Sequence, residues 1–190
     1  RDGRYTYPLT GIMALYDEVP FDKIIDRAFD ENSDYQTVVE STGQDYNPGY
    51  GYYEQFITWA RGSKGLVVEK AVNGSESQLA LVNNPSGYPD FKIQINAVNG
   101  WYWNGSESVD AYSVNRLLGK QPGENGNSIS FLLSYGDFDY LTSGDAGANT
   151  RIENNLAKSI NRKIEAMKAH HHFAWETMSA TSMAIYLPTV

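Results

Sequence analysis

The chain has 190 residues, enough for a domain with a substantial core, and 41% of them are hydrophobic. The formal net charge is −8, which disfavours the broad basic surface that a protein needs to follow the phosphates of long duplex DNA. Cysteine is absent, which excludes a disulfide framework, a thiolate nucleophile and a cysteine-bound zinc site. An acidic chain can still bind a phosphoester at a metal ion, because the ion brings its own positive charge.

Helices and strands are predicted to alternate along most of the chain. Apolar spacing and capping residues predict helices over residues 11–16, 33–43, 52–60, 149–160 and 177–187. Apolar runs and alternating patterns predict strands over residues 21–26, 66–69, 79–82, 91–98, 129–135, 138–142 and 164–169. This order indicates an α/β or α+β fold.

The remaining features concern the extent of the domain. Residues 99–127 are rich in Gly, Asn, Ser and Trp, and we predict a long functional or mobile loop there. Without a repeat or a second domain, residues 1–190 are expected to form a single domain, with no membrane span and no signal peptide at Arg1. No obvious strand precedes the first helix, and the chain stops where a strand starts. We therefore expect a partial domain with an incomplete N-terminal part.

The compartment stays open. Richness in Tyr, Asn, Gly and Ser leans towards an exported protein. Asn73-Gly74-Ser75 and Asn104-Gly105-Ser106 match the glycosylation pattern, which is common by chance.

One carboxylate and a group of histidines each follow a predicted strand. Asp145 comes after the strand over residues 138–142, behind a flexible Gly144. His170, His171 and His172, the only histidines of the chain, follow the strand over residues 164–169. Carboxylate and imidazole groups are zinc ligands, so these two strand ends are candidate parts of a metal site.

Plainer interpretations exist for both groups. Asp145 on spacing alone is more often a helix cap or a turn residue, and the histidines can be an exposed polar loop. Because successive side chains in a strand point to opposite sides, only some of the histidines can face one site. We choose His171 as the metal ligand and His172 as a neighbouring residue that orients or contacts the substrate. Replacement of His170 is expected to have only a mild effect on metal occupancy and hydrolysis.

Aromatic residues near these groups are candidates for substrate contact. Trp175 follows the histidines closely and can form a wall of the site, although packing is the commoner role of such rings. Trp101 and Trp103 are more readily explained by packing. Asn127, which precedes the strand leading to Asp145, is a further candidate contact.

The complete order of hairpin, Gly-Asp, helix, strand and His-His identifies a protein family more specifically than the Asp145 segment or the histidine segment does alone. Residues 125–145 resemble the second half of metallo-β-lactamase-fold hydrolases, and are similar to the hydrolase domain of ComEC-type DNA-uptake proteins. The run Lys168-Ala169-His170-His171-His172 resembles their strand-end pattern of lysine, small residue, any residue and His-His. The resemblance covers about residues 10–190 and is strongest over residues 125–175.

The resemblance implies an αββα sandwich with a metal site at one edge of its two sheets. It implies that Asp145 is the carboxylate able to bridge two metal ions and that His171 is the last histidine ligand. Asn127-Ser128 stands near a place where many relatives have another histidine. The family's first motif, His-x-His-x-Asp-His, should precede the first helix, yet residues 1–9 contain no histidine. Either the motif is lost or it lies outside this sequence, and we favour the second explanation.

These expectations combine into one leading function and two alternatives. The resemblance implies a hydrolase of phosphoester or phosphodiester bonds that uses one or two Zn²⁺ ions, with Mn²⁺ as another option. Asp145 and His172 would be catalytic, and the substrate would be a small phosphoester or a short nucleic acid. The alternatives are a non-catalytic binding module with a degenerate metal site, and a lactone or amide hydrolase on the same fold. No protein partner can be inferred.

Overall fold

The computed structural model describes residues 11–30, 35–41, 48–118, 122–147, 151–175 and 177–187. These residues have a mixed α+β structure, which confirms the predicted class. The chain divides into two compact units, Arg1–Lys70 and Ala71–Val190. Compactness alone does not show whether the units fold independently, so the single domain stays a prediction.

The first unit packs helices beside a pair of parallel strands. Its elements are α1 (Ile12–Glu18), β1 (Lys23–Asp26), α2 (Tyr35–Ser41), α3 (Pro48–Lys64) and β2 (Val67–Lys70). The strands β1 and β2 pair in parallel, and their apolar side chains join those of α1 and α3 in one core. Phe56 and Ala60, four residues apart on α3, are both fully buried, as expected for the apolar face of a helix.

Asp26 is a buried carboxylate of this unit with a structural role. It ends β1, and its Oδ1 accepts hydrogen bonds from the amides of Ala28 and Phe29 at 2.6 and 2.8 Å. The hydroxyl of Tyr53 donates to Oδ2 at 2.7 Å. Both oxygens are therefore used to hold the turn after β1 against α3.

The second unit contains a six-stranded sheet among its described residues. Its strands are β3 (Lys92–Val98), β4 (Trp101–Trp103), β5 (Ser108–Asp110), β6 (Ser130–Tyr135), β7 (Phe138–Thr142) and β8 (Ala166–Met167). The strand order is β5-β4-β3-β6-β7-β8. Neighbours pair antiparallel except β7 and β8, which run parallel. The helices are α4 (Ser113–Leu117), α5 (Ile152–Ile160) and α6 (Ala180–Tyr186).

A core between this sheet and the helices α5 and α6 fixes β7 in place. Leu132 and Leu141, from β6 and β7, pack with Leu156 of α5 and Tyr186 of α6. Of these, Leu141, Leu156 and Tyr186 are almost fully buried. The two runs on either side of Gly136 predicted this hairpin correctly. The buried face of β6 carries Ser130, Leu132 and Ser134, so it does not follow a simple alternation of apolar and polar residues.

Three predicted elements differ from the structure. Residues 79–82 form bends instead of a strand, and Val82 is 91% exposed. Residues 99–127 are not one long loop, since they contain the β4–β5 hairpin, whose turn is closed by the Asn104 side chain accepting from the amides of Ser106 and Glu107. The strand predicted over residues 164–169 shortens to β8, because the amide of Ile164 donates to the carbonyl of Tyr186 at the end of α6.

No helix in the described ranges is both long enough and apolar enough to cross a membrane. Residues 188–190, where a further strand was predicted to start, lie outside the described residues.

Candidate functional site

The ends of β7 and β8 bring the two predicted ligand groups together. The strands are parallel, with Tyr140 opposite Ala166 and Leu141 opposite Met167, so their carboxyl ends meet at the same edge of the sheet. The amide of Lys168 donates to the carbonyl of Leu141 at 2.9 Å and continues this pairing. The segment that carries Asp145 therefore lies beside the segment that carries the histidines.

Backbone contacts hold the Asp145 segment. Gly144 has φ +54, and a Cβ atom at this position would lie 2.9 Å from the hydroxyl of Ser128. The same hydroxyl accepts from the amide of Asp145 at 3.1 Å. The carbonyl of Gly144 accepts from the amide of His171 at 3.1 Å. A glycine is needed here both for its backbone angle and for the close approach of Ser128.

The side chains of Asp145, His172 and Lys168 form one polar group. Oδ2 of Asp145 lies 3.4 Å from Nε2 of His172, and Oδ1 lies 3.9 Å from Nζ of Lys168. The side chain of His172 is 78% exposed and that of Asp145 is 34% exposed, so solvent and small ligands can reach the carboxylate. Exposed pairs of this kind contribute little to the stability of the fold. Ligand binding is therefore the more plausible role of this group.

His171 occupies a more enclosed position than His172. Its Nε2 lies 3.4 Å from the side-chain nitrogen of Asn125, and its Nδ1 is buried without a hydrogen-bond partner in the part of the chain that the structure describes. The rings of His171 and His172 are 6.0 Å apart. Sequence reasoning missed Asn125 because it lies on a 3₁₀ turn far from the histidines along the chain.

The histidines do not continue a strand. His170–Phe173 forms a tight turn in which His171, His172 and Phe173 have φ of 44, 55 and 65°. Left-handed backbone costs a residue with a side chain roughly 1–2 kcal/mol, so three in succession require strong contacts on both sides. One contact is the bond from the amide of His171 to Gly144, and another is the bond from the amide of Ala174 to the carbonyl of His171 at 2.9 Å. Backbone held in this way is typical of ligand-binding segments.

His170 points into the protein interior and not into the site. It is fully buried, and its Nδ1 lies 3.5 Å from Oε2 of Glu153, which is also fully buried. That distance exceeds an ordinary hydrogen bond but permits strong attraction when the imidazole is protonated. The mild effect of replacing His170 on metal binding and hydrolysis stays a prediction. Its removal would cost stability, because it would leave a cavity beside the buried carboxylate of Glu153.

Glu153 connects α5 to the beginning of α6. Its Oε1 accepts from the amide of Ser179 at 2.7 Å and from the hydroxyl of Ser182 at 2.5 Å, and its Oε2 accepts from the amide of Met178 at 2.9 Å. Burial raises the pKa of Glu153, but His170 and these hydrogen bonds outweigh burial and lower the pKa from 4.5 to about 2. Burial, followed by the charge of Glu153, raises the pKa of Tyr186. The carboxylate is therefore ionised and anchors the histidine turn from inside.

The two predicted substrate contacts, Trp175 and Asn127, differ in their exposure to solvent. Trp175 is 91% exposed, and the neighbouring Phe173 is also exposed, so two aromatic rings face solvent just after His172. Asn127 is fully buried and is not accessible to a ligand in solution. Asn125, two positions earlier, is the asparagine that reaches the histidines.

A second polar region lies at the other end of the β6–β7 hairpin. An open cleft of about 660 Å³ there is lined by acidic and basic side chains, among them Asp139 and Arg162. Arg162 binds both oxygens of Asp139, at 2.6 and 2.7 Å, and also contacts the hydroxyl of Ser134 at 3.0 Å. Because Asp139 and Arg162 pair with each other, a structural role accounts for these two side chains in the cleft.

The donor types at the Asp145 site fit zinc, although the described residues supply only part of a ligand set. Two ligands on a tetrahedral zinc ion, at bonds of about 2.0–2.1 Å, lie roughly 3.3 Å apart. Asp145 and His172 are 3.4 Å apart, so this spacing would admit His172 as a ligand as well as in the substrate role predicted for it. The buried, unpartnered Nδ1 of His171 is a further donor. Within the described ranges, however, no three His, Asp or Glu side chains are grouped closely enough to hold a metal ion by themselves.

Comparisons with models of protein families, with curated proteins and with solved structures found no match to this chain. The chemistry of the site must therefore be argued from its own residues.

Proposed function

We propose that this protein is a metal-dependent hydrolase with an αββα sandwich of the metallo-β-lactamase type, acting on phosphoester or phosphodiester bonds. One observation supports it above all. Asp145 is distant in sequence from His171 and His172, yet all three follow the adjoining ends of β7 and β8, with Asp145 3.4 Å from His172. The packing of α5 and α6 against this sheet is compatible with one half of such a sandwich.

Asp145 and His171 are the proposed metal ligands. His171 is the more enclosed histidine, and the side-chain nitrogen of Asn125 lies 3.4 Å from its Nε2. A bound zinc ion would lower the pKa of its water to about 7 and polarise the oxygen of the scissile bond. Manganese would suit the carboxylate as well.

His172 has the position of a group that acts on substrate. It is exposed, and its Nε2 lies 3.4 Å from Oδ2 of Asp145, the carboxylate proposed as a metal ligand. A protonated imidazole there can stabilise charge that develops on a phosphoryl oxygen, or donate a proton to the leaving group. Trp175 and Phe173, both exposed beside it, can contact the non-reacting part of the substrate.

The substrate class rests on the resemblance and on charge. The family implies phosphodiester bonds, while the net charge of −8 disfavours long duplex DNA. A small phosphodiester or a short single strand fits both considerations.

A non-catalytic binding module is the second candidate, and one observation favours it. The described residues contain no complete set of metal ligands, and residues 1–9 carry no histidine that could complete one. A lactone or amide hydrolase on the same fold is a third candidate, because the Lewis-acid chemistry that a metal held by Asp145 and His171 would supply suits a carbonyl group as well as a phosphoryl group.

Zinc content and a substrate panel separate these candidates. Protein that is loaded with zinc and then dialysed to remove excess metal is expected to retain one or two zinc ions per chain. Elemental mass spectrometry measures this zinc content. The zinc-loaded protein is also expected to hydrolyse bis-p-nitrophenyl phosphate faster than a lactone. Retention of no zinc would favour the binding module, and zinc retention with preference for the lactone would replace the proposed substrate class.

A further inference from the structure

Lys168 lies at the junction of the two segments that form the site, and nothing so far assigns it a role. It follows β8 directly, and its side chain is 41% exposed. Its ammonium group donates to the carbonyl of Gly144 at 3.0 Å and to the carbonyl of Ala169 at 3.3 Å. It also lies 3.9 Å from Oδ1 of Asp145, beyond hydrogen-bond length but within range of charge attraction.

The carbonyl of Gly144 is shared between two donors. It accepts from Nζ of Lys168 and also from the amide of His171 at 3.1 Å, using both of its lone pairs. Because Gly144 precedes Asp145 and Ala169 precedes the histidine turn, the lysine bridges the backbone of both segments. Replacement of Lys168 should therefore change the backbone positions of both Asp145 and His171.

We propose that Lys168 is a positioning residue, which holds the Asp145 segment and the histidine turn at the spacing that metal binding requires. The proposal rests on the proposed function in taking Asp145 and His171 as ligands. A lysine beside a phosphoester site could instead contact the substrate as a point charge. The ammonium group, however, donates to two backbone carbonyls and lies 3.9 Å from Oδ1 of Asp145, and these contacts hold it beside the backbone of both segments.

The positioning role and a purely electrostatic role predict opposite changes in metal affinity. A positive charge near Asp145 repels a divalent cation, so its removal alone would tighten zinc binding. Loss of positioning would weaken zinc binding, and partners that orient metal ligands are typically worth 10–100-fold in affinity. We expect Lys168→Met, which retains most of the aliphatic stem, to bind zinc roughly tenfold more weakly than the unmodified protein.

A matched control is available on α5. Lys158 is exposed and has no recorded contact with the site, so Lys158→Met removes the same charge from the same molecule. It should leave zinc affinity unchanged. Tighter zinc binding by Lys168→Met than by Lys158→Met would overturn the positioning role.

Amide hydrogen exchange tests the same role without any metal. In metal-free protein, the amide of His171 should exchange roughly tenfold faster in Lys168→Met than in Lys158→Met, since its acceptor at Gly144 is no longer held. Equal exchange in the two variants would refute the role of Lys168 even if zinc binds. If the unmodified protein binds no zinc but His171 exchange responds as expected, the metal-dependent function fails and the role of Lys168 in joining the segments stands.

Hydrolysis supplies a third measurement. In zinc-loaded protein, Lys168→Met should lower kcat on bis-p-nitrophenyl phosphate with little change in KM, because the reacting groups are displaced and the substrate contacts are kept. A raised KM with unchanged kcat would instead make Lys168 a substrate contact. Lys168→Gln, which keeps a donor without the charge, should give intermediate values in all three measurements and serves if the methionine variant folds poorly.

Discussion

Alanine at Asp145 is expected to lower zinc retention and phosphodiester hydrolysis by at least about a hundredfold while leaving the fold intact. The carboxylate lies 3.4 Å from His172 and 3.9 Å from the ammonium group of Lys168, and without it an incoming cation would meet Lys168 with no compensating charge beside it. The fold should survive because the side chain is partly exposed and lies outside the apolar core. Metal analysis after dialysis and circular dichroism together measure both effects.

The matched control for Asp145 lies at the other end of the same strand. Asp137, in the β6–β7 turn, is an exposed aspartate far along the hairpin from the histidines. Asp137→Ala removes an equal charge and should leave zinc content and hydrolysis unchanged. Equal loss in Asp137→Ala and Asp145→Ala would mean that overall charge, and not a specific ligand, governs metal retention.

His171→Ala is expected to reproduce the loss seen for Asp145→Ala. If both side chains bind the same ion, the double variant should be scarcely worse than either single variant, because ligands of one site act as a unit. Unchanged zinc content in both single variants would remove Asp145 and His171 from the metal site and end the case for this hydrolase.

Much of the fold around the site follows from local sequence. The β6–β7 hairpin was predicted because Gly136 lies at a turn between two strand-like runs, and α6 because Ser179 can cap it. The structure has both, with the side chain of Ser179 accepting from the amide of Ser182. The β4–β5 hairpin was missed, since Trp101–Trp103 is too short to show a period and its pairing with Ser108–Asp110 depends on side-chain contacts in the turn.

The site itself was accessible from sequence only in part. Asp145 and the histidines could be placed together because each follows a strand, and adjacent parallel strands end at the same edge. The left-handed turn at His171 was not foreseeable, because three such residues in succession contradict local preference and are imposed by tertiary contacts. Glu153 did carry a signal: it occupies the apolar face of α5, three and four positions before the buried Leu156 and Ala157.

Glutamine at Glu153 is expected to destabilise the protein by roughly 2–4 kcal/mol at neutral pH. Both carboxylate oxygens accept from α6 or its preceding residues, so either orientation of the amide turns its NH₂ group towards a backbone or hydroxyl donor. The contact between the carboxylate and the ring of His170 is weakened as well. Urea unfolding at pH 7 measures the change. Glu107→Gln is the matched control on the exposed β4–β5 turn and should shift the midpoint very little.

The same variant isolates the contribution of this carboxylate to acid stability. Because the pKa of Glu153 is lowered from 4.5 to about 2 in the folded protein, its ionisation favours folding by roughly 3 kcal/mol above pH 4.5. That contribution should disappear progressively as the pH falls from about 4.5 to about 2. The gap in unfolding free energy between the unmodified protein and Glu153→Gln should therefore narrow across this range. A gap that stays constant from pH 6 to pH 2.5 would show that Glu153 is not held as a buried anion, and that the histidine turn is anchored by other contacts.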